Sequence, residues 1–350
     1  MKNVVHLVYP SGNLIRTPES IGTNVAELFE KNGYIVKLYN PYLMKKIDLV
    51  KGKRNYLIGH ALPNPFTTFR MSLDIKEIEK KILLQPFCIN DRKRFGYLRN
   101  VFPKIDSFAA ICGKYWGGKL KNIDDNFFKK NCHQIDLAIR LDHYKLIKTK
   151  FNEPGKRKFL YIGNKHYSKN LQYFSVIAKK ISPSLFGSIQ TKINNVNNFH
   201  KYVNFSDSKS LDIIKDYDFL LMTGKLDPNP TVVLEAMAWG LIPITTKGSG
   251  YTEEDGVILL NGELHKDIKI LDKYQHIKEE ILLSIQSKNI EILKNNFNWE
   301  RFSKQIIKLL TKKQAKYKIK KKIFTIFDEI FSREFFLKPR KIFIFQKNNI

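Results

Sequence analysis

The chain has 350 residues, of which 43% are hydrophobic and 27% charged, a balance typical of globular rather than disordered proteins. At roughly 100–200 residues per domain, this length predicts two domains. Its apolar runs are all shorter than the roughly 20 residues that a membrane-spanning helix needs. The three cysteines, Cys88, Cys112 and Cys132, are scattered. That argues against a disulfide framework or a cysteine-rich metal site and favours a reduced, cytoplasmic setting.

The charge of the chain is strongly positive, because 61 lysines and arginines against 33 acidic residues give a formal net charge of +28. Such a field favours anionic partners, namely nucleic acid, acidic membranes or phosphorylated substrates. The same excess also arises as plain solvated surface in a chain rich in Lys, Asn and Ile. Charge alone therefore does not identify a partner.

In the first half, short apolar strands alternate with amphipathic helices. The pattern predicts a first strand at residues 4–9, rather than a signal peptide, and a helix at 21–31 that Asn32 and Gly33 terminate. Further strands are predicted at 34–38, 56–59, 82–89 and 108–112. Strands that alternate with helices indicate βαβ units and a mostly parallel sheet.

A polar stretch at 142–158 predicts a linker, and a second series of strands begins after it. These strands are predicted at Phe159–Ile162, 185–188, Phe219–Met222, Ile242–Thr246 and 257–260. The sequence therefore predicts two successive α/β domains, at 1–150 and 151–310, followed by a tail at 311–350.

The tail has its own composition. Residues 311–322 contain seven lysines and no acid, and residues 323–331 are apolar apart from two acids. A basic run beside Phe and Ile favours a helix that lies on an anionic membrane surface, which we assign to 312–331. The alternative is a terminal helix packed across the domains with its lysines in water.

The segment at 222–244 carries the strongest chemical signal. After a strand and a loop, Asn229 is placed to cap a helix that has Pro230 at its first position. Thr231 and Glu235 are four residues apart and share one helix face. Free backbone N–H groups at such a helix start bind anions, and loops at the carboxyl ends of strands bind ligands in open α/β sheets.

A nucleotide sugar would satisfy every polar group of this segment. The amides and the Thr231 hydroxyl suit phosphate oxygens, while Glu235 and Asp227 suit the hydroxyls of the ribose and the sugar. The alternative is an ordinary helix start in which Asp227 caps the helix and Glu235 forms a salt bridge.

The segment resembles the donor-binding signature of the retaining glycosyltransferases of family 4. Asp227 and Glu235 are separated by seven residues, and Ala-Met-Ala-Trp-Gly-Leu-Ile-Pro follows at 236–243. The family usually has Glu at the first acidic position. The resemblance implies the GT-B fold, in which two Rossmann-like, doubly wound α/β domains face each other across a cleft. Residues 297–302 resemble the element that precedes the last helices, which cross back to the first domain in this fold.

A second element at 158–170 resembles the start of the family's donor domain. Family members use an Arg and a Lys here to hold the diphosphate. Asn164 stands where Arg is usual. The resemblance therefore implies that Lys169 holds the diphosphate, with Lys165 as a substitute for the Arg. Gly163 lets the backbone approach the ligand, and Gly12 lies in the first-domain loop that would face the diphosphate.

These considerations define two sets of candidate residues. The donor-binding set is Gly12, Gly163, Asn164, Lys165, Lys169, Asp227, Asn229, Pro230, Thr231 and Glu235. The catalytic set is Lys169 and Asp227, together with His60 and Asp91, which follow first-domain strands and would line the cleft. A lone His or Asp after a strand is also commonly structural.

The resemblance implies transfer of a sugar from a nucleoside diphosphate to an acceptor hydroxyl, with retention of configuration and no metal or other cofactor. The expected acceptor is a glycan or lipid-linked saccharide of the cell surface, such as a lipopolysaccharide, reached at the inner face of the membrane. We expect no nucleic-acid partner. A same-fold epimerase, phosphorylase or inactive scaffold is the main alternative, and a basic nucleic-acid-binding protein is a weaker one.

Overall fold

The computed structural model describes residues 3–123, 126–201, 203, 205 and 207–312. These residues form twelve β-strands in two six-stranded parallel sheets, with eleven α-helices around them. The strands are β1 Val4–Val8, β2 Ile35–Tyr39, β3 Asn55–Gly59, β4 Ile78–Pro86, β5 Ser107–Ile111, β6 Cys132–Ile135, β7 Phe159–Ile162, β8 Phe186–Ile189, β9 Asn198–His200, β10 Phe219–Met222, β11 Ile242–Thr246 and β12 Ile258–Leu260. The helices are α1 Glu19–Lys31, α2 Thr68–Ser72, α3 Arg92–Leu98, α4 Gly113–Lys121, α5 Asn126–Asn131, α6 Leu171–Ile181, α7 Ser208–Lys215, α8 Thr231–Trp239, α9 Leu264–His276, α10 Glu279–Asn296 and α11 Trp299–Thr311.

Both sheets are doubly wound. The strand order is β2-β1-β3-β4-β5-β6 in the first sheet and β12-β11-β10-β7-β8-β9 in the second. The central strand β10 consists of apolar residues that are buried on both faces, and β1 is buried throughout and apolar except for His6, as parallel strands covered by helices on both sides require. This architecture confirms the predicted class of two Rossmann-like α/β units.

The last described helix returns to the first sheet. Helix α11 packs against α1, and the Ile139 amide donates to the Phe297 carbonyl at 3.0 Å beside it. Asn298 caps α11 by accepting a hydrogen bond from the Arg301 amide at 2.8 Å. The final helix therefore crosses back as the resemblance implies, and it ties the two halves together.

The start of the second sheet is tied to the preceding linker by the carboxylate of Asp218. This side chain is fully buried and forms an ion pair with Lys148 at 2.8 Å. It also accepts hydrogen bonds from the backbone amides of Asn152 and Lys158, each at 2.8 Å. One carboxylate therefore organises the segment that joins the two sheets.

The two halves also meet at a very close backbone contact. The Tyr115 amide of α4 donates to the Gly250 carbonyl at 3.0 Å, and the Trp116 indole donates to the Gly248 carbonyl at 3.0 Å. A Cβ atom on Gly113 would lie 2.4 Å from the Gly250 oxygen, so only glycine fits there. Lys114 adds an ion pair to the buried Asp255 at 2.8 Å.

The membrane-binding tail predicted at 312–331 lies, from residue 313 onward, outside the described residues. Among the helices that are described, none combines the length and the apolar character that a bilayer-spanning segment requires.

We predict that Asp218→Ala lowers the free energy of unfolding by about 3–5 kcal/mol, because it leaves the buried Lys148 ammonium without its partner. Urea denaturation followed by tryptophan fluorescence measures the change. Asp216→Ala is the control, since Asp216 forms an exposed ion pair with Lys158 and should contribute less than about 1 kcal/mol. Equal losses in the two variants would contradict the role assigned to Asp218.

Candidate functional site

The candidate site lies where the loops at the carboxyl ends of β7 and β10 meet. These neighbouring strands lead to opposite sides of the second sheet, so the position between them is its topological switch point. The loops are joined because the Lys225 amide donates to the Ser168 carbonyl at 2.8 Å. Lys169 and Asp227 are therefore brought from distant parts of the sequence to one place.

Lys169 and Asp227 form an ion pair with 2.5 Å between Nζ and Oδ2, and each side chain is only 16% exposed. Leu226 packs against the core of the first domain, and the Asp227 carboxylate contributes to the raised pKa of Cys88 there. Burial is the main cause of that shift, which takes the pKa of the Cys88 thiol to about 12. Asp227 thus faces the junction between the two halves.

The start of helix α8 differs from the sequence prediction at Asn229. The helix begins at Thr231, and Pro230 occupies the cap position without a side-chain hydrogen bond. The Asn229 side-chain oxygen instead accepts a hydrogen bond from the Leu137 backbone amide, and the backbone amide of Asn229 donates to the Ser249 carbonyl at 2.7 Å. The capping prediction for Asn229 is therefore wrong, because the loop turns this residue away from the helix with a φ of 54°.

A first-domain loop covers the start of α8. The Thr17 and Thr231 hydroxyls lie 2.8 Å apart and form a hydrogen bond between the two halves. The Tyr251 hydroxyl donates to the Pro230 carbonyl at 3.1 Å and holds the same turn from the other side. The helix start is consequently a junction of both halves, as a ligand held between them requires.

Glu235 lies one turn further along α8 and is half-buried. Its Oε1 accepts a hydrogen bond from the Tyr144 hydroxyl at 3.0 Å. Burial raises the pKa of the Glu235 carboxyl to about 7, although the hydrogen bond from Tyr144 acts in the opposite direction. A carboxyl group that changes charge near neutral pH is a common mark of functional sites.

The loop after β7 contains three predicted donor-binding residues. Gly163 has a φ of 148°, and a Cβ atom there would approach the Tyr161 hydroxyl to 3.0 Å. Asn164 folds the loop: its carbonyl accepts from the Tyr161 hydroxyl at 2.8 Å and its side chain accepts from the His166 amide at 3.1 Å. Lys165 is exposed at the tip of this loop.

A groove of about 530 Å³ opens beside the ion pair, at the carboxyl ends of β10, β11 and β12. Its walls include Lys225, Lys247 and the first turn of α6, and Tyr115 contributes from the first domain. The two lysines make this groove positively charged.

His60 follows β3 in the first domain, and its ring lies 5.5 Å from that of Tyr9. Burial, with a smaller contribution from Arg94, lowers the pKa of His60 to about 4, so the imidazole is neutral at pH 7. The Nδ1 of His60 and the hydroxyl of Tyr9 are buried, and neither has a hydrogen-bond partner within the described parts of the chain. Two unpaired polar atoms therefore lie together at this edge of the first sheet.

Asp91 caps helix α3 by accepting from the Arg94 amide at 3.1 Å. It also lies close to Tyr167 of the second domain, and the pKa of that phenol is raised first by burial and then by the Asp91 charge. Asp91 thus has a structural role and also faces the loop that precedes Lys169.

Gly12 lies in the exposed loop after β1, where its φ of 106° favours glycine. Its amide donates to the Thr23 hydroxyl at 3.0 Å, which fixes the loop onto α1.

The structure adds residues that the sequence did not single out. Tyr144 contacts Glu235, Thr17 contacts Thr231, and Tyr167 and Arg94 lie with Asp91 at the junction. Tyr167 lies inside the element at 158–170 but was not assigned a role, and Tyr144 lies in a stretch that composition marks only as a linker. Their roles follow from tertiary contacts.

The described residues contain no group of three or more His, Cys, Asp or Glu side chains placed to hold a metal ion. Metal independence remains a prediction.

No protein-family profile matches the sequence, and no curated protein matches it significantly. Solved structures do match. Sucrose-phosphate synthase from Thermosynechococcus elongatus aligns with a TM-score of 0.63 at 10% identity, over 88% of this chain and 98% of that one. WaaG, a glycosyltransferase involved in lipopolysaccharide biosynthesis, aligns with 0.58 at 12% identity, over 89% and 100%. An alpha-glucosyltransferase in complex with UDP and DNA gives 0.55 at 12%, over 89% and 99%. The chain therefore has the GT-B fold, as the resemblance implied.

Proposed function

We propose that this protein is a glycosyltransferase that moves a sugar from a nucleoside diphosphate to an acceptor hydroxyl, with retention of configuration and without a metal ion. The observation that carries the proposal is the grouping of Lys169, Asp227, Thr231 and Glu235 at the junction of two Rossmann-like halves. This grouping offers a cation, helix amides and two carboxylates within one short stretch of surface.

The charged groups of the site suit the diphosphate, the ribose and the transferred sugar of a nucleotide sugar. Lys169 and the amides at the start of α8 would bind the diphosphate, with the Thr17 and Thr231 hydroxyls beside them. Glu235 would accept hydrogen bonds from the ribose, and Asp227 from the transferred sugar. Lys169 neutralises Asp227 in the free protein, so donor binding would exchange this ion pair for contacts of both residues with the ligand.

The chemical step would rely on electrostatic stabilisation. Negative charge grows on the leaving diphosphate, and a fixed ammonium group with oriented helix amides lowers the energy of that state. In a retaining, front-face reaction the departing phosphate itself takes the acceptor proton. His60 is neutral at pH 7, so it would contribute hydrogen bonding at the cleft rather than positive charge.

For the acceptor, we propose a glycan or lipid-linked saccharide of the cell envelope, met at the inner face of the membrane. The basic tail at 312–331 motivates the membrane location, and WaaG provides a structural relative that acts in lipopolysaccharide biosynthesis. The DNA complex of another relative makes hydroxylated DNA a useful comparison acceptor, although we expect no nucleic-acid partner.

A thermal-shift screen with UDP-, GDP-, ADP- and dTDP-linked sugars tests donor binding. We expect one nucleotide class to raise the melting temperature and to be hydrolysed slowly, because ligand stabilisation follows affinity. Glu235→Ala should abolish the shift, and Glu263→Ala is the control, since Glu263 pairs with Lys266 on the surface. If no donor binds, or if Glu235→Ala leaves binding unchanged, the proposal is wrong.

We predict that Lys169→Met lowers kcat by about 10²–10³, since it removes a cation that stabilises the leaving group. Steady-state transfer or donor hydrolysis measures the loss, and Lys169→Arg should restore part of it. Lys266→Met is the matched control and should retain normal activity. A change confined to KM in Lys169→Met would show that the residue binds donor without acting on the transition state.

We also predict that donor affinity rises with pH. Below a pKa of about 7 the Glu235 carboxyl holds a proton, and above it the carboxylate can accept from both ribose hydroxyls. The dissociation constant should therefore be about tenfold larger at pH 6 than at pH 8. Isothermal titration measures it, with an intact nucleotide sugar as ligand. Glu235→Gln should bind more weakly and without this pH dependence. If the variant keeps the dependence, another group is responsible.

A further inference from the structure

Four large apolar side chains project from one corner of the first domain. Tyr42 is 64% exposed, Leu43 46%, Met44 65% and Phe66 65%. We call these four residues the apolar tip. Tyr42, Leu43 and Met44 follow β2, and Phe66 lies in the loop after β3.

The two loops of the apolar tip are joined to each other through helix α2. The Thr68 amide and hydroxyl both donate to the Leu43 carbonyl, at 2.9 and 2.8 Å. The Ile47 amide donates to the Ser72 hydroxyl at 3.1 Å, and Ile47 itself is buried. Phe66 and Met44 are thus held on neighbouring loops.

The exposure of the tip is built into ordered turns. The Asn40 side chain accepts from the Tyr42 amide at 2.9 Å, and the Asn64 side chain accepts from the Phe66 amide at 2.9 Å. Thr67, next to Phe66, is buried and donates its hydroxyl hydrogen to the Asn64 carbonyl at 2.9 Å. Ordered turns therefore hold Tyr42 and Phe66 in exposed positions, and the neighbour of Phe66, Thr67, is fixed inward.

Basic residues continue directly from the tip. Lys45 and Lys46 are exposed, and Lys45 forms a long, 4.0 Å ion pair with the exposed Asp48. Apolar side chains beside lysines, on a protein with a net charge of +28, complement an anionic lipid surface. Protein interfaces are depleted in lysine, and a stable one buries about 800 Å² on each partner. Four half-exposed side chains provide only a few hundred Å².

We propose that the apolar tip inserts into the head-group region of an anionic bilayer, with Lys45 and Lys46 against the lipid phosphates. The tip lies at the carboxyl edge of the first sheet, where His60 also lies after β3. Docking there would bring this edge of the first domain to the lipid surface. This inference goes beyond the proposed sugar transfer and concerns residues other than those of the predicted tail at 312–331.

A tryptophan reporter tests the insertion directly in the full-length chain. The native tryptophans Trp116, Trp239 and Trp299 are buried, so Phe66→Trp introduces an exposed indole with a separate signal. With vesicles of phosphatidylcholine and phosphatidylglycerol, its emission should shift to the blue and be quenched by brominated lipid. Pure phosphatidylcholine vesicles should give a much weaker effect. An indole that is never quenched by lipid would overturn the proposal.

Binding measurements separate the tip from other membrane contacts. In vesicle co-sedimentation, the double variant Met44→Ser/Phe66→Ser should reduce partitioning into the vesicles at least about tenfold. The single variants Lys45→Gln and Lys46→Gln should each reduce partitioning about fivefold. Ile281→Ser, at a position 44% exposed on α10, is the control and should bind normally. Wild-type binding by the double variant would assign membrane contact to the tail and overturn the proposal.

Two further outcomes would also overturn it. If the Phe66→Trp indole is shielded before lipid is added, the tip is covered by another segment of the chain. If the wild type is a dimer that Met44→Ser/Phe66→Ser dissociates, the tip is an interface between copies. Donor binding should be unchanged in every tip variant, so a failure of this proposal is distinguishable from a failure of the proposed transferase function.

Discussion

The organisation of this protein follows from the burial of two parallel sheets on both faces. Strands such as β7 and β10 are buried along their whole length and lie between helix layers, so neither face of the sheet is open to a ligand. Polar and charged groups that meet a ligand must then lie where the strands end. The loops at the carboxyl edges of the two sheets contact each other through Thr17 and Thr231. The location of the candidate site is thus a consequence of the fold.

Some of the polar groups at this junction lack full hydrogen-bonding or ionic partners, and a ligand could supply them. Lys169 and Asp227 neutralise each other, but among the described residues the half-buried Glu235 has only the Tyr144 hydroxyl as a hydrogen-bond partner, and burial raises its pKa to about 7. Nearby, within the described residues, Nδ2 of Asn229 is a buried donor without an acceptor. Buried unpaired polar atoms are uncommon in folded proteins and call for an explanation. A polar ligand with many hydroxyls and phosphate oxygens would provide one.

The sequence predicted the central strands well and two of the four edge strands, β2 and β12, but it missed the other two. The strands at Phe159–Ile162, Phe219–Met222 and Ile242–Thr246 match, because continuous apolar runs identify strands buried on both faces. The edge strands Cys132–Ile135 and Asn198–His200 were missed, since they are short, polar and partly exposed. Hydrophobic pattern alone does not distinguish such segments from loops.

In the candidate site, too, features set by local sequence were predicted and features set by tertiary contacts were not. Asp227, Thr231 and Glu235 belong to one continuous segment, so their spacing on a loop and helix was readable from the sequence. The misassignment of Asn229 has a tertiary cause, because the contact with Leu137 of the first domain decides where its side chain points. The role of Tyr144 could not be predicted for the same reason, because only folding brings its hydroxyl to Glu235.

The strand order of the first sheet has a consequence for how an acceptor could reach this site. Because β1 lies between β2 and β3, the loops that follow these three strands are neighbours at one edge. The loop after β1 contains Thr17, which touches the start of α8, while the loops after β2 and β3 carry the apolar tip. The loop that meets the second domain and the loops suited to lipid therefore emerge side by side. If both proposals hold, a lipid-linked acceptor at the membrane surface would approach the cleft along the same edge of the first sheet that meets the second domain.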